Sequence, residues 1–384
     1  MTYYMKIGIV VGINTDAISE ERFPKWLEDI DDKTFNLSKE KWGDIYALGS
    51  DIAIAYYVKK YCKYDVEILT KKDVSLKRFN EFDHIFGFYE PYYYTHTMKS
   101  SDAYRKYSNI IKNTKAIFHQ PLDLQKFVLN KKLYTDTLKK NNIPVMDTIS
   151  FQIKDNMNTK NILNKIEKQC NQWETDSFIT KPQPGGFGIG FKKWNLNKLL
   201  KNIKPFETYI RKIEKQLRIE RPLLLVQDFA PEFEKFYEVR TYWLNGKYSH
   251  SLGTIISPDS LGVSGFENIK FAYPESEYDN NVFETYDEEP DILDDKLIRE
   301  LKKMGKRILK IIPQSKYGDP FIFRIDFGCC INNKNICRDY FVNEIEYMPN
   351  LFPEYSTHVD FLERMGKSII TKVNYVNNLK NKNK

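Results

Sequence analysis

The chain has 384 residues, 41% hydrophobic and 29% charged, a composition that excludes a wholly disordered chain and predicts more than one packed core. A net charge of +7 is modest for this length and points to no nucleic-acid surface, and no apolar run approaches the roughly 18 residues that span a bilayer. Five cysteines without paired CxxC spacing and an N-terminus, MTYYMKIGIVVG, without a signal-peptide layout predict a soluble cytoplasmic protein.

Residues 6–12, KIGIVVG, form a short continuous apolar run ending in glycine, the pattern of a buried parallel strand. Helical periodicity follows in GSDIAIAYYVKKY, then strands YDVEIL and HIFGFY, and a polar stretch leads to KAIFHQ. Alternating strands and helices predict an α/β unit over residues 1–120. The loop at Gly12 lacks a GxGxxG fingerprint, so no dinucleotide site is expected there.

From Asp123 the segment DLQKFVLNKKLYTDTLKKNN reads as a helix that must stop before Ile143-Pro144, because proline drives the preceding residue toward extended geometry. NILNKIEKQC is a second helix. FITKPQPGGFGIGFKKW reads as two strands around a glycine-rich turn, and NKLLKNI opens another helix. LLLVQDF is a strand, and YEVRTYWLNGKYSHSLGTII a hairpin turning at Asn245-Gly246. The acidic stretch between Phe271 and Asp295 reads as an exposed excursion. Leu297, Ile298, Leu301, Met304, Ile308 and Leu309 mark the apolar stripe of a helix that starts near Asp294. FIFRIDFG and YFVNEIEY read as two final strands, and the tail NNLKNKNK as a frayed end.

Those last strands carry the most specific signal. In extended chain, residues i and i+2 share a face, so Arg324 and Asp326 point one way while Phe323, Ile325 and Phe327 point the other. Glu344 and Glu346 likewise share a face, opposite Asn343, Ile345 and Tyr347. If the strands pair, three carboxylates and a guanidinium converge. Two carboxylates ~4 Å apart repel by about 4 kcal/mol at an intermediate dielectric, so such a face requires a cation or protonation. Hard oxygen donors favour Mg2+ over zinc. The competing explanation is a solvated outer sheet face, which the spacing alone does not exclude. Lys181-Pro182 followed by Gly185, Gly186, Gly188 and Gly190 gives a loop whose backbone N–H groups can approach phosphate. No GxxxxGK[ST] loop and no kinase catalytic signature accompany it.

Taken in order, a lysine-rich helix ending before IPV, then ITKPQPGGFGIG, LLLVQDF, YEVRTYWLNGKY, FRIDFG and VNEIEYMPN resemble the ATP-grasp superfamily, including D-alanine–D-alanine ligases and ribosomal-protein glutamate ligases. The resemblance covers about the last two-thirds of the chain. It implies an N-terminal parallel-sheet α/β lobe at 1–120 followed by the two-lobed grasp, with a central lobe at 121–225 and a C-terminal lobe at 226–384. Lys131 and Lys181 match the phosphate-binding lysines, and Gly185, Gly186 and Gly188 the phosphate lid. Gln227, Asp228 and Phe229 match the adenine hinge, with Gln227 where an acid is usual. Glu238 resembles the acid near the ribose, and Arg240 an arginine near the phosphates. Asp326 and Glu344 match the metal-binding acids, Glu346 stands where Asn is usual, and Asn350 replaces the usual glycine. Arg324 is the candidate to stabilise charge on the transferring group.

The implied cofactors are ATP and two Mg2+ ions. The implied reaction joins a small-molecule or peptide carboxylate to an amine through an acyl phosphate, releasing ADP and phosphate. A kinase acting on a hydroxyl and a nucleotide-binding module without turnover are the alternatives. Tyr92, Tyr93, Tyr94 and the five histidines read as structural, with His119 and His250 near predicted ligand-facing loops.

Overall fold

The apolar run at the start of the chain becomes the strand Lys6–Val10, flanked in parallel by Asp65–Leu69 and His84–Gly87, with Ile117–Phe118 beyond. The structure is a computed structural model that describes residues 5–12, 17–37, 39–42, 45–89, 102–154, 156–183, 190–216, 223–230, 238–256, 266–272, 295–331, 337–349, 351 and 360–382. Ile7, Ile9 and Val10 are wholly buried, as expected of a strand covered on both faces. The helix Ser50–Tyr61 is buried over most of its length because a second helix, Phe361–Lys382, packs on it. Their close approach depends on Gly366, where a Cβ would lie 2.3 Å from the Tyr57 ring. The tail expected to fray continues this helix through Lys382: Ile369 and Val373 are buried in the same core, Val376 and Asn377 are buried beyond them, and packing of the preceding turns carries the polar end.

Residues between the first strand and this helix form a small antiparallel sheet, Ala17–Ser19, Ile45–Gly49 and Lys39–Trp42, which the sequence reading does not anticipate.

The segment expected as one helix after Asp123 is two, Leu122–Leu129 and Lys131–Lys140. Asn130 breaks it, with φ −96° and ψ 81°, and its side chain accepts from the Leu133 amide at 3.0 Å. An asparagine offering its own cap competes with helix continuation. The strands Lys192–Asn195, Ser177–Gln183, Leu223–Asp228 and Thr148–Gln152, in that order, make an antiparallel sheet. One face packs on the helices Thr159–Trp173 and Lys204–Gln216, burying Leu224 and Val226. Alternation sends Leu225 and Gln227 to the other face.

The last sheet runs Phe266–Ala272, Lys247–Ile256, Glu238–Leu244, Phe323–Ile331, Cys337–Glu346. Its expected hairpin turns at Asn245 and Gly246, both at positive φ (50° and 74°), the twist that two-residue hairpin loops require. Helix Asp295–Leu309 supplies Ile298, Leu301 and Ile308 to a core shared with Trp243, Phe323, Ile325 and Phe327. The opposite face is free to carry polar groups.

His119 and His250 lie within cores rather than on ligand-facing loops. His119 is buried beside Phe86 and His84, and His250 is sandwiched between Tyr242 and Phe361 with ring centroids 4.3 and 3.8 Å away. Tyr92, Tyr93, Tyr94, Asn350 and most of the acidic stretch before Asp295 fall outside the described residues. Among the described residues, no helix is long and apolar enough to cross a membrane.

Candidate active site

Strand alternation puts Arg324 and Asp326 on the face away from the Phe323, Ile325 and Phe327 core. Register then extends two rows across three strands. Arg240 pairs with Asp326, which pairs with Glu344; Tyr242 pairs with Arg324, which pairs with Glu346. The Arg324 guanidinium grips Asp326 in a fork, Nε to Oδ1 at 2.7 Å and Nη2 to Oδ2 at 2.8 Å, and Nη2 also lies 3.0 Å from Glu346 Oε2. Beside them Arg240 Nη2 donates to Glu238 Oε2 at 2.9 Å. Asp326 is only 2% exposed, so this face is no solvated outer surface.

One ligand oxygen each from Asp326, Glu344 and Glu346 lies within 4.8 Å of the others. The repulsion expected of such a cluster is answered in the protein itself by Arg324 on one side and Lys131, paired directly with Glu344, on the other. Among the described residues the cluster is made of carboxylates alone, and such hard oxygen donors fit a hard divalent cation such as Mg2+.

Lys131 opens its helix immediately after the Asn130 cap. Gln183 steadies that end, its Oε1 accepting from the Lys132 amide at 2.8 Å and its Nε2 donating to Asn130 Oδ1 at 2.9 Å. Gln183 shares a strand face with Lys181, so one sheet positions both lysines. Lys131, Tyr134, Thr135, Thr148, Lys181, Leu225, Gln227 and Asn343 line a narrow cleft open to solvent. It lies between the central sheet and the edge of the C-terminal one.

Burial drives the Lys181 ammonium down to about 8, and the neighbouring Lys131 charge adds to the effect. Lys131 goes the other way: burial works against its charge, but Glu344, Glu346 and Asp326 together outweigh that and hold it above the usual lysine range. For Glu346, burial and the Glu344 and Asp326 charges push the carboxyl up to about 8 against the pull of Arg324. Burial also opposes the charge of Glu344, yet Lys131 and Lys181 hold its carboxyl below the ordinary value.

Asn343 departs from the alternation expected for its strand. Asp326 pairs with Glu344 but Phe327 pairs with Val342, so a β-bulge leaves Asn343 as the extra residue. Its side chain consequently reaches the cleft, accepting from Lys181 Nζ at 3.2 Å and donating to Glu238 Oε1 at 2.8 Å. Ile345 and Tyr347 remain in the core, as expected. Nothing local in the sequence signals the bulge. Tyr134 is also missed, though its position one helical turn after Lys131 is a readable cue. Gln227 lines the cleft, while Asp228 and Phe229 follow at the strand's end, with Lys193 Nζ 3.7 Å from the Phe229 ring centroid. Gly185, Gly186 and Gly188 lie outside the described residues.

No protein-family model matches the chain, and no curated protein does. Solved structures do. D-cycloserine synthetase DcsG aligns over 96% of this chain and 99% of its own, with TM-score 0.60 at 12% identity. The D-alanine–D-alanine ligase from Bacillus anthracis, complexed with ATP, aligns over 99% and 100%, with TM-score 0.58 at 11% identity. The ATP-grasp ligase PsnB, complexed with a minimal precursor, aligns over 96% and 99%, with TM-score 0.54 at 10% identity. At such identities the likeness is one of architecture, and it is plain: this chain has the ATP-grasp fold.

Proposed function

We propose that the chain is an ATP-dependent ligase that joins a carboxylate to an amine, on small molecules or peptides, through an acyl phosphate, releasing ADP and phosphate. The observation that carries this reading is that Lys131 and Lys181 line one cleft while Lys131 pairs directly with Glu344, a member of the Asp326, Glu344 and Glu346 cluster. Phosphoryl transfer asks the protein for positioning and charge neutralisation more than for a side-chain nucleophile, and this set is equipped for both. It is further supported by the ligases that share the fold, one of them complexed with ATP.

In this reading Gln227, Asp228 and Phe229 hold the adenine and Glu238 lies near the ribose. Lys131 and Lys181 hold the β- and γ-phosphates under a lid of Gly185, Gly186 and Gly188. Asp326, Glu344 and Glu346 hold Mg2+, in one or two ions, which when bound neutralises phosphate charge and orients the transferring group. Arg324 and Lys131, which contact these carboxylates, would turn their guanidinium and ammonium donors to the phosphates and the developing oxyanion, a role Arg240 would share. The substrate carboxylate itself attacks the γ-phosphorus.

The test is a screen of amino acids, short peptides and polyols for ADP release with phosphate assayed in parallel. Free phosphate in step with ADP is expected. ADP with a phosphorylated product and no free phosphate makes the protein a kinase and overturns the ligase reading.

A further inference from the structure

Asn343 joins groups that belong to two different sheets. Its Oδ1 accepts from Lys181 Nζ at 3.2 Å, and its Nδ2 donates to Glu238 Oε1 at 2.8 Å. An ammonium only donates and a carboxylate only accepts, so the two partners define which way the carboxamide points. The other Glu238 oxygen is held by Arg240 Nη2 at 2.9 Å. Lys181, on the strand Ser177–Gln183, is thus tied through Asn343 to a buried ion pair on the strand Glu238–Leu244.

We propose that Asn343 is a positioning residue for Lys181, presenting its charge to the phosphates of a nucleoside triphosphate in the cleft; the inference rests on the ATP reading above. The physical reason is preorganisation. A lysine has a flexible four-carbon stem, and ordering it at the moment of binding weakens the complex; a carboxamide that already holds Nζ removes much of that cost. The position suits asparagine specifically. Aspartate accepts from Lys181 but sets a second carboxylate against Glu238, and leucine does neither. The bulge is what makes the contact possible, because regular pleating turns this side chain onto the core face of Ile345.

The experiment measures the affinity of the intact protein for the Mg2+ complex of a non-hydrolysable ATP analogue by calorimetry, and for adenosine by ligand-observed NMR. Asn343→Ala is expected to weaken the analogue about tenfold, the loss of one charge-assisted hydrogen bond, and to leave adenosine unchanged. In a Lys181→Met background the same substitution is expected to change analogue affinity less than about twofold, since the effect runs through Lys181. Asn343→Gln keeps the carboxamide and is expected to recover part of the loss; it also carries the test if the alanine variant does not fold. Analogue affinity equal to wild type in both variants, an equal loss in the Lys181→Met background, or a parallel loss of adenosine each overturns the proposal. Failure of the unaltered protein to bind the analogue overturns the ATP reading as well, which separates the two.

Discussion

Asp326 stands opposite Glu344 on the neighbouring antiparallel strand, and one step further the pairing slips so that Phe327 faces Val342. That single slip places Asn343 on the acidic side of the sheet and closes the site toward Lys181. The polar face is thus held from a helix and from the central sheet: Lys131 to Glu344 and Lys181 to Asn343.

A ligand that binds only the native state stabilises it by mass action, by about 2.7 kcal/mol at a hundred times its dissociation constant. Mg2+ with a non-hydrolysable ATP analogue is therefore expected to raise the melting temperature by about 3 °C or more. Differential scanning fluorimetry with and without Mg2+ measures this, and an unshifted transition at millimolar analogue contradicts an ATP site.

Glu344 and Glu346 differ in what they leave behind when neutralised. Glu344→Gln strands the Lys131 ammonium and, in metal-free buffer, is expected to cost about 2 kcal/mol. Glu346→Gln removes the carboxylate whose charge is least tolerated, its pKa being pushed up to about 8, so its metal-free melting temperature is expected to stay level or rise. Both lose Mg2+-dependent ADP release. Equal destabilisation of the two variants would refute this charge assignment.

The buried histidines predict a pH-dependent stability. His119 Nε2 lies 2.9 Å from His84 Nδ1, and His84 Nε2 lies 3.2 Å from Asn377 Oδ1. The carbonyl oxygen only accepts, so His84 donates from Nε2, and in its neutral form its Nδ1 accepts from His119 Nε2. Burial holds His84 down at about 4 and His119 well below its usual value, with Lys380 acting on both, Lys372 on His119, and Asp83 opposing on His84. Because the unfolded chain takes up these protons near pH 6.5 while the folded one does not, stability is full above pH 6.5 and falls from there toward pH 4. The His84 share is on the order of 3 kcal/mol. Urea melts across this window check it, and His84→Gln is expected to flatten the slope.

Asn130 caps the helix that begins at Lys131, and Asn130→Ala is expected to cost about 1 kcal/mol. The same change removes the Gln183 contact that steadies this end, so affinity for the ATP analogue is expected to fall with stability. Loss of stability with unchanged affinity would show that Lys131 is positioned by Glu344 alone.

Much of this architecture is written in local pattern. The period-2 alternation in FRIDFG and NEIEY already separates Arg324, Asp326, Glu344 and Glu346 from Ile325 and Ile345, and Asn245-Gly246 announces its hairpin. The break at Asn130 was hidden because Leu and Lys on both sides, with Phe127 before it and Tyr134 after it, keep one helical period. The persistence of the C-terminal helix was hidden too, since its order comes from packing against Ser50–Tyr61 rather than from its own polar residues.

The sequence by itself determined which side chains share a strand face and in what order the elements follow, because both depend on spacing between near neighbours. Only the tertiary structure decided that Glu344 meets Lys131 across 213 residues, that a bulge delivers Asn343 to Lys181, and that His84 reaches Asn377. These contacts depend on which strands pair and in what register, and that choice is made by the burial of distant faces against one another, a free energy that no short stretch of chain contains.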